Sequence, residues 1–213
     1  MNAQTTGGDP SDVPPRVRRL RRAERREQIL GSATRAFARG GFTATGLDDV
    51  AREAGVTRDL LYRHFDSKAD LYRAVLERAC RRVDARVGAD DFDDDAIPAL
   101  VAAAAADPDG FRLVFRHASR EPEFRDLTDG LAALSVDIAR RNLARHLPDG
   151  PWLDWAARLI PTLATESVIT WLDAGRPDPE HAPARISQAI HGVIAAAASP
   201  APLRTSDSDD LPA

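Results

Sequence analysis

From Arg22 to Arg39 the apolar residues Ile29, Ala33, Ala36 and Phe37 recur at helical spacing. Gly40-Gly41 closes the run, where a left-handed backbone can end a helix. Leu47, Val50, Ala51 and Ala54 follow at i, i+3, i+4 and i+7, before Gly55. A third, short helix opens at Thr57, whose hydroxyl can cap it, and stops near His64. Asp66-Ser67 starts a long helix in which Leu71, Val75, Ala79, Val83 and Val87 repeat every four residues, up to the acidic run Asp90 to Asp95. The second half continues in the same manner. Ile97, Leu100, Val101 and Ala104 make a helix stopped by Pro108, and Phe111, Val114, Phe115 and Ala118 make one stopped before Pro122. Phe124, Leu127, Leu131, Leu134 and Ile138 step by three and four, as a packing seam does. A helix over about Trp152 to Ala174 contains Pro161, which is expected to kink it. Ile186, Ala189, Ile190, Val193, Ile194 and Ala197 share one face of a last helix. Alternating strand patterns are absent. The expected fold is all-α, with about nine helices.

Residues 1–15 and 199–213 are rich in Pro, Ser, Asp, Gly and Thr and too poor in apolar side chains to pack, so both ends are expected to be disordered. Between them the pattern divides into a helix-turn-helix unit at 16–67 and a larger helical unit at 68–198.

Charge sharpens that division. Residues 1–88 carry 18 Lys and Arg against 12 Asp and Glu, a net +6, while residues 89–213 carry 11 against 21, a net −10. A basic segment joined to an acidic one points to a polyanion at one end only. Nine arginines lie between Arg16 and Arg39, and the stretch Arg16 to Arg26 forms a basic arm that either reaches nucleic acid or stays solvated. The single cysteine, Cys80, excludes an internal disulfide, and none of the five histidines is paired at metal-ligand spacing. There is no Gly-rich phosphate loop and no nucleophile elbow, so neither an enzyme nor a bound cofactor is expected. No apolar run approaches ~20 residues, and the N-terminus has no signal-peptide core. A cytoplasmic protein with no membrane partner is the expectation.

The informative stretch is Gly41 to Leu71. Two short helices are separated by Ala54-Gly55-Val56, and Leu47, Val50, Ala51, Val56, Leu61 and Phe65 can build a miniature core beneath them. Thr57, Arg58, Asp59, Leu60, Tyr62 and Arg63 are left outward on the second helix. A cation, a hydroxyl, a carboxylate, a leucine and a tyrosine together suit a helix laid into a DNA major groove better than a solvated face. The first turn (Arg58, Asp59 and Leu60) is then where base edges would be read, with Arg58 donating to guanine, Asp59 accepting from cytosine and Leu60 packing on a thymine methyl. Asp59 has an equal structural reading, as an acidic residue complementing the helix dipole.

These residues resemble the TetR family of transcriptional regulators. The resemblance is carried by Gly41-Phe42, Thr45, Leu47 to Ala51, Ala54-Gly55-Val56, Thr57, Tyr62 to Phe65 and Ser67-Lys68. It departs from the family at Gly46, where Ser or Thr is usual, and at Asp59, where Gly is common. What it implies is a near-palindromic DNA operator bound by a homodimer that represses transcription, with association with the nucleoid while bound. Thr45 and the Gly46 backbone, and Thr57, Tyr62, His64 and Lys68, would touch phosphate, where helix N-termini present free N–H groups. Lys68 is the only lysine beside 28 arginines. The resemblance further implies an effector pocket among the middle helices, with Phe111, Phe115, Arg116, Leu134, Ile138 and Trp155 as candidate lining, and Arg112, His117, Asp137 and Arg140 as further polar candidates. The last two helices would pair with a second subunit, the Ile186 to Ala197 face meeting Leu159, Leu163 and Ile169. The aromatic content and the net −10 point to a small, largely apolar effector. A regulator governed by a protein partner with no small-molecule ligand remains the alternative.

Overall fold

A computed structural model describes residues 15–88 and 95–199 of the chain, with side chains from Arg22 onward. All of both terminal tails except Pro15 and Ser199, the side chains of the arm up to Arg21, Phe92 and most of the acidic run therefore lie outside the described residues. Among those described there are nine α-helices and no strand. They are α1 (Pro15–Ala44), α2 (Leu47–Ala54), α3 (Arg58–Tyr62), α4 (Lys68–Val87), α5 (Ala96–Ala106), α6 (Pro108–Arg112), α7 (Arg125–Leu143), α8 (Pro151–Asp173) and α9 (Ala182–Ala198). The segment between α6 and α7 is a π turn at Leu113–His117 followed by two 3-10 turns. No described helix is long and apolar enough to cross a membrane. No cluster of three metal-ligating side chains occurs among the described residues.

Two compact units divide these helices: 15–86 with 102–129, and the described parts of 87–101 with 130–199. In the first unit α1 buries Ile29, Leu30, Ala33, Ala36 and Phe37, a continuous apolar stripe of period 3.6. The helical hydrogen bonding runs on past Gly40 to Ala44, broken only at Gly41, whose φ of 72° ends the regular spiral. The expected stop at Gly40-Gly41 is thus a break inside a longer helical segment. Phe42, just beyond the break, joins an aromatic cluster. Its ring lies 4.9 Å from Tyr72 and 5.0 Å from Phe124, while Tyr72 meets Phe37 edge-on at 4.9 Å. Phe124, a residue of the middle of the chain, therefore belongs to the core under the N-terminal helices.

Ionic contacts fasten α4 to its neighbours in the same unit. Arg78, only 8% exposed, donates to Glu27 of α1 at 2.7 Å and lies 3.6 Å from Asp107, the cap of α6. Arg82 bridges the same two carboxylates at 2.8 and 3.0 Å. A guanidinium this enclosed has to be paired, because an isolated buried charge costs several kcal/mol. Cys80 lies on the same helix, partly buried, and burial with the nearby Asp84 carboxylate pushes its thiol up to about 11.

In the second unit α8 and α9 pack along each other. Ala139, Leu143, Leu147, Leu153, Ala156, Ala157 and Ala197 form one apolar cluster, with Val136, Ile160 and Ile194 at its margin. Arg140 ties α7 to the turn before α8 and to its first turn, through Asp149 at 2.6 Å and Asp154 at 2.8 Å. The α8 helix runs through Pro161 as one element, with the Thr165 hydroxyl donating to the Pro161 carbonyl at 3.0 Å.

Candidate nucleic-acid interface

Backbone and carboxylate chemistry holds α2 at both ends. Gly46 has no side chain to cap with, and the first turn supplies the substitute: the Asp49 carboxylate accepts from the Gly46 N–H at 2.9 Å. That hydrogen bond first, and Arg52 at 3.0 Å second, hold the Asp49 carboxyl below the usual carboxylate range. At the other end Gly55 takes the left-handed φ of 64°, and its N–H reaches back to the last carbonyls of α2. The helix is held on α1 by Glu53, which accepts from Arg35 at 2.8 Å and Arg39 at 2.5 Å, and by Gln28 donating to the Ala54 carbonyl.

A helix of five residues cannot sustain itself in water, so α3 exists by capping and packing. The Thr57 hydroxyl accepts from the Leu60 N–H at 3.3 Å. Leu61 is 1% exposed and Phe65, just after the helix, 3%. These two anchors turn Arg58, Asp59, Tyr62 and Arg63 outward, all exposed, with Leu60 half-buried between them. The carboxylate of Asp59 makes no hydrogen bond or ion pair with any described residue, and the same holds for the Arg63 guanidinium. Arg58 is different. Its Nη1 lies 3.2 Å from Asp48 of α2, and its Nη2 donates to the Tyr62 hydroxyl at 3.2 Å.

The remaining candidates occupy three distinct settings. His64 is half-buried, and burial first, then Arg22, Arg26 and Arg25, lower its imidazole below the ordinary histidine value of 6.5. Arg26 also stacks over Phe65 at 5.0 Å, so the end of the basic arm is held beside the helix-turn-helix. Thr45 is 4% exposed, and its hydroxyl donates inward to the Ala36 carbonyl at 3.3 Å rather than lying on the surface. Lys68 is half-buried, and its ammonium donates to the carbonyls of Phe42 at 2.9 Å and Thr43 at 3.4 Å and sits 4.4 Å above the Phe42 ring. Its charge thus meets the carbonyl end of α1, where a cation is favoured.

Residues 29–75, which contain this whole arrangement, match the family model for bacterial regulatory proteins of the tetR family. These residues belong to the TetR family. The chain is 49% identical over 63 residues to the transcriptional activator FasR of Mycolicibacterium smegmatis, covering 30% of this chain and 29% of that protein. It is 40% identical over 75 residues to the transcriptional regulator TtgR of Pseudomonas putida, covering 35% and 36%. The matched stretch thus spans about a third of the length of these curated relatives, which are transcriptional regulators and not enzymes. The fold extends further. A TetR-like regulator from Rhodococcus sp. RHA1 superposes with a TM-score of 0.70 at 18% identity, over 81% of this chain and 97% of that one. A TetR-family regulator from Streptomyces coelicolor does so at 0.59 with 27% identity, over 83% and 97%.

Outside the TetR-family segment the candidate pocket residues are spread over both units. Phe111 is buried and its ring lies 4.6 Å from Phe115, with Arg116 half-buried on the following π turn, all in the first unit. Ile138 is buried in the second unit, whereas Leu134 and Trp155 there are exposed. Trp152, outside that candidate lining, stands 5.5 Å from Trp155 in an edge-on pair and is the more exposed of the two. Asp48 is a residue that sequence reasoning passed over. Its signal was present as a carboxylate ten residues before Arg58, but nothing in the one-dimensional pattern pairs the two.

Proposed function

We propose that the chain is a DNA-binding transcription regulator that occupies a near-palindromic operator as a homodimer, represses from it, and is released by a small, largely apolar effector. The observation that carries this reading is α3. It is a capped, five-residue helix whose Leu61 and Phe65 are anchored inward while Arg58, Asp59, Tyr62 and Arg63 stand exposed on one surface. A surface of that composition has donors and acceptors suited to base edges, and the arginines at 22, 25 and 26 stand near its end at His64. In this reading Arg58, Asp59 and Leu60 choose the sequence, and Thr57, Tyr62, Arg63, His64 and the α2 start at Gly46 approach the backbone. Thr45 and Lys68 support them from behind, fixing the loop that α2 leaves from. Residues 16–67 serve DNA, and residues 68–198 serve the effector and the second subunit. Leu159, Leu163, Val193 and Ile194 stay only partly buried within the chain and support dimerisation through α8 and α9, whereas Ile169, Ile186, Ile190 and Ala197 of the expected contact face are already buried within it.

The test is selection of operators from randomised DNA by the purified protein, with sedimentation and native mass spectrometry on the same preparation. Enrichment of a sequence with two half-sites, a mass of two chains and a retained apolar ligand are the expected results. Failure to enrich any sequence would overturn the reading, and a monomer at micromolar concentration would overturn the dimer.

A further inference from the structure

Two adjacent carboxylates open α2, and they do different things. Asp49 turns back to its own helix, accepting from the Gly46 N–H and from Arg52. Asp48 turns outward and across to α3, where both of its oxygens lie within 3.4 Å of Nη1 of Arg58. The opposite flank of that guanidinium is closed by Tyr62, whose hydroxyl accepts from Nη2 and whose ring lies 5.6 Å from the guanidinium carbon. Arg58 is therefore gripped from two sides, by one residue of each helix of the helix-turn-helix.

Stability does not account for this grip. Both partners of the ion pair are more than half exposed, at 53% and 68% of the side chain, and pairs of that kind contribute little to folding. A carboxylate on a surface that meets phosphates also carries a repulsive cost. What the contact does change is the freedom of a long side chain. A free arginine loses rotamer entropy when it docks, and one already held in a single orientation loses less. Its five N–H donors outnumber the contacts made here, so donors remain for the acceptor edge of a guanine.

We propose that Asp48 is a specificity-determining positioning residue which, with Tyr62, holds the Arg58 guanidinium in the orientation that reads one guanine per half-site. The inference rests on the DNA-reading function proposed above. It makes an unusual prediction of sign. Removing Asp48 takes a negative charge away from the DNA-facing surface, so affinity for arbitrary DNA should hold or rise, while discrimination at one base pair should fall.

The experiment compares the full chain with its Asp48→Ala, Asp48→Asn, Tyr62→Phe and Arg58→Ala variants in randomised-operator selection, alongside direct titration of one preferred site and one scrambled duplex. Asp48→Ala should relax preference at the same base pair as Arg58→Ala, by about tenfold. Scrambled-duplex affinity should be unchanged or higher, and Asp48→Asn, which keeps an acceptor, should retain part of the preference. Thermal unfolding of Asp48→Ala should match that of the unsubstituted chain. If Asp48→Ala binds all duplexes more tightly and keeps its preference at that base pair, Asp48 acts as a charge alone and the inference is overturned. It is overturned equally if Arg58→Ala leaves every preference intact. An unsubstituted protein that enriches no sequence overturns the DNA-reading function as well.

Discussion

His64 shows how a single side chain can tie proton binding to DNA binding. Burial and the guanidinium groups of Arg22, Arg26 and Arg25 hold its imidazole below the ordinary value of 6.5, so the folded protein keeps it neutral near pH 7. Above 6.5 both folded and unfolded chains are neutral at this position, and it contributes nothing to stability. As pH falls from 6.5 through the lowered folded value, the unfolded chain takes up the proton first, and the fold is progressively destabilised. In the proposed complex a backbone phosphate beside the ring would reverse the balance by favouring the imidazolium. DNA affinity is therefore expected to rise as pH is lowered from 8 to 6 in buffer of fixed ionic strength, and titration of a His64→Gln variant over the same range should give a flat profile. At this scale the sequence disclosed residue types and outward direction, but not partners. The pattern that exposed Arg58 said nothing of Asp48, and the motif that marked Thr45 and Lys68 did not tell that both make hydrogen bonds to α1 carbonyls. Partner choice depends on how two helices cross, and that angle has no one-dimensional signature.

Among the elements, the join between α1 and α2 is where local propensity and packing disagree. Alanine in place of Gly40 would favour helix by about 1 kcal/mol. A Cβ there would, however, stand 2.5 Å from the Thr45 hydroxyl, which is buried and β-branched and has little room to turn away. Overpacking of that kind costs about 1–3 kcal/mol, so the clash outweighs the propensity. Gly40→Ala is expected to lower Tm in the natural sequence and to raise it in a Thr45→Ala background, a change of sign that a thermal double-mutant cycle reads directly. The helices themselves were legible because their apolar stripes have a period that survives any tertiary arrangement. All nine appear among the described residues, with ends at the capping residues Thr57, Gly55 and Asp107. The segment from Leu113 to Phe124 was less so, since a π turn and two 3-10 turns keep the apolar spacing of a helix without its hydrogen bonding.

The molecule as a whole is acidic, at −4, yet the segment proposed to meet DNA is basic. The attraction of that basic segment for phosphates is weakened by salt. Operator affinity should fall log-linearly with salt, at about −0.9 per phosphate neutralised. Titrations from low to moderate salt measure that slope, and a slope near zero would show that the basic helices stay away from the backbone. The C-terminal unit was the least legible part of the chain. Its apolar faces predicted helices, but Trp155, expected to line a pocket, and Trp152 beside it both stand at the surface.

Cys80 gives the chain a built-in clock. It is the one thiol in the molecule, it lies on the helix whose Arg78 and Arg82 grip Glu27 and Asp107, and burial keeps its proton on well above neutral pH. Alkylating reagents attack the thiolate, so labelling at pH 8 reports how often the partly buried thiol becomes accessible and ionised. The native protein should label much more slowly than the denaturant-unfolded chain. Glu27→Gln, which weakens the grip on that helix without touching the cysteine, should make the clock run faster.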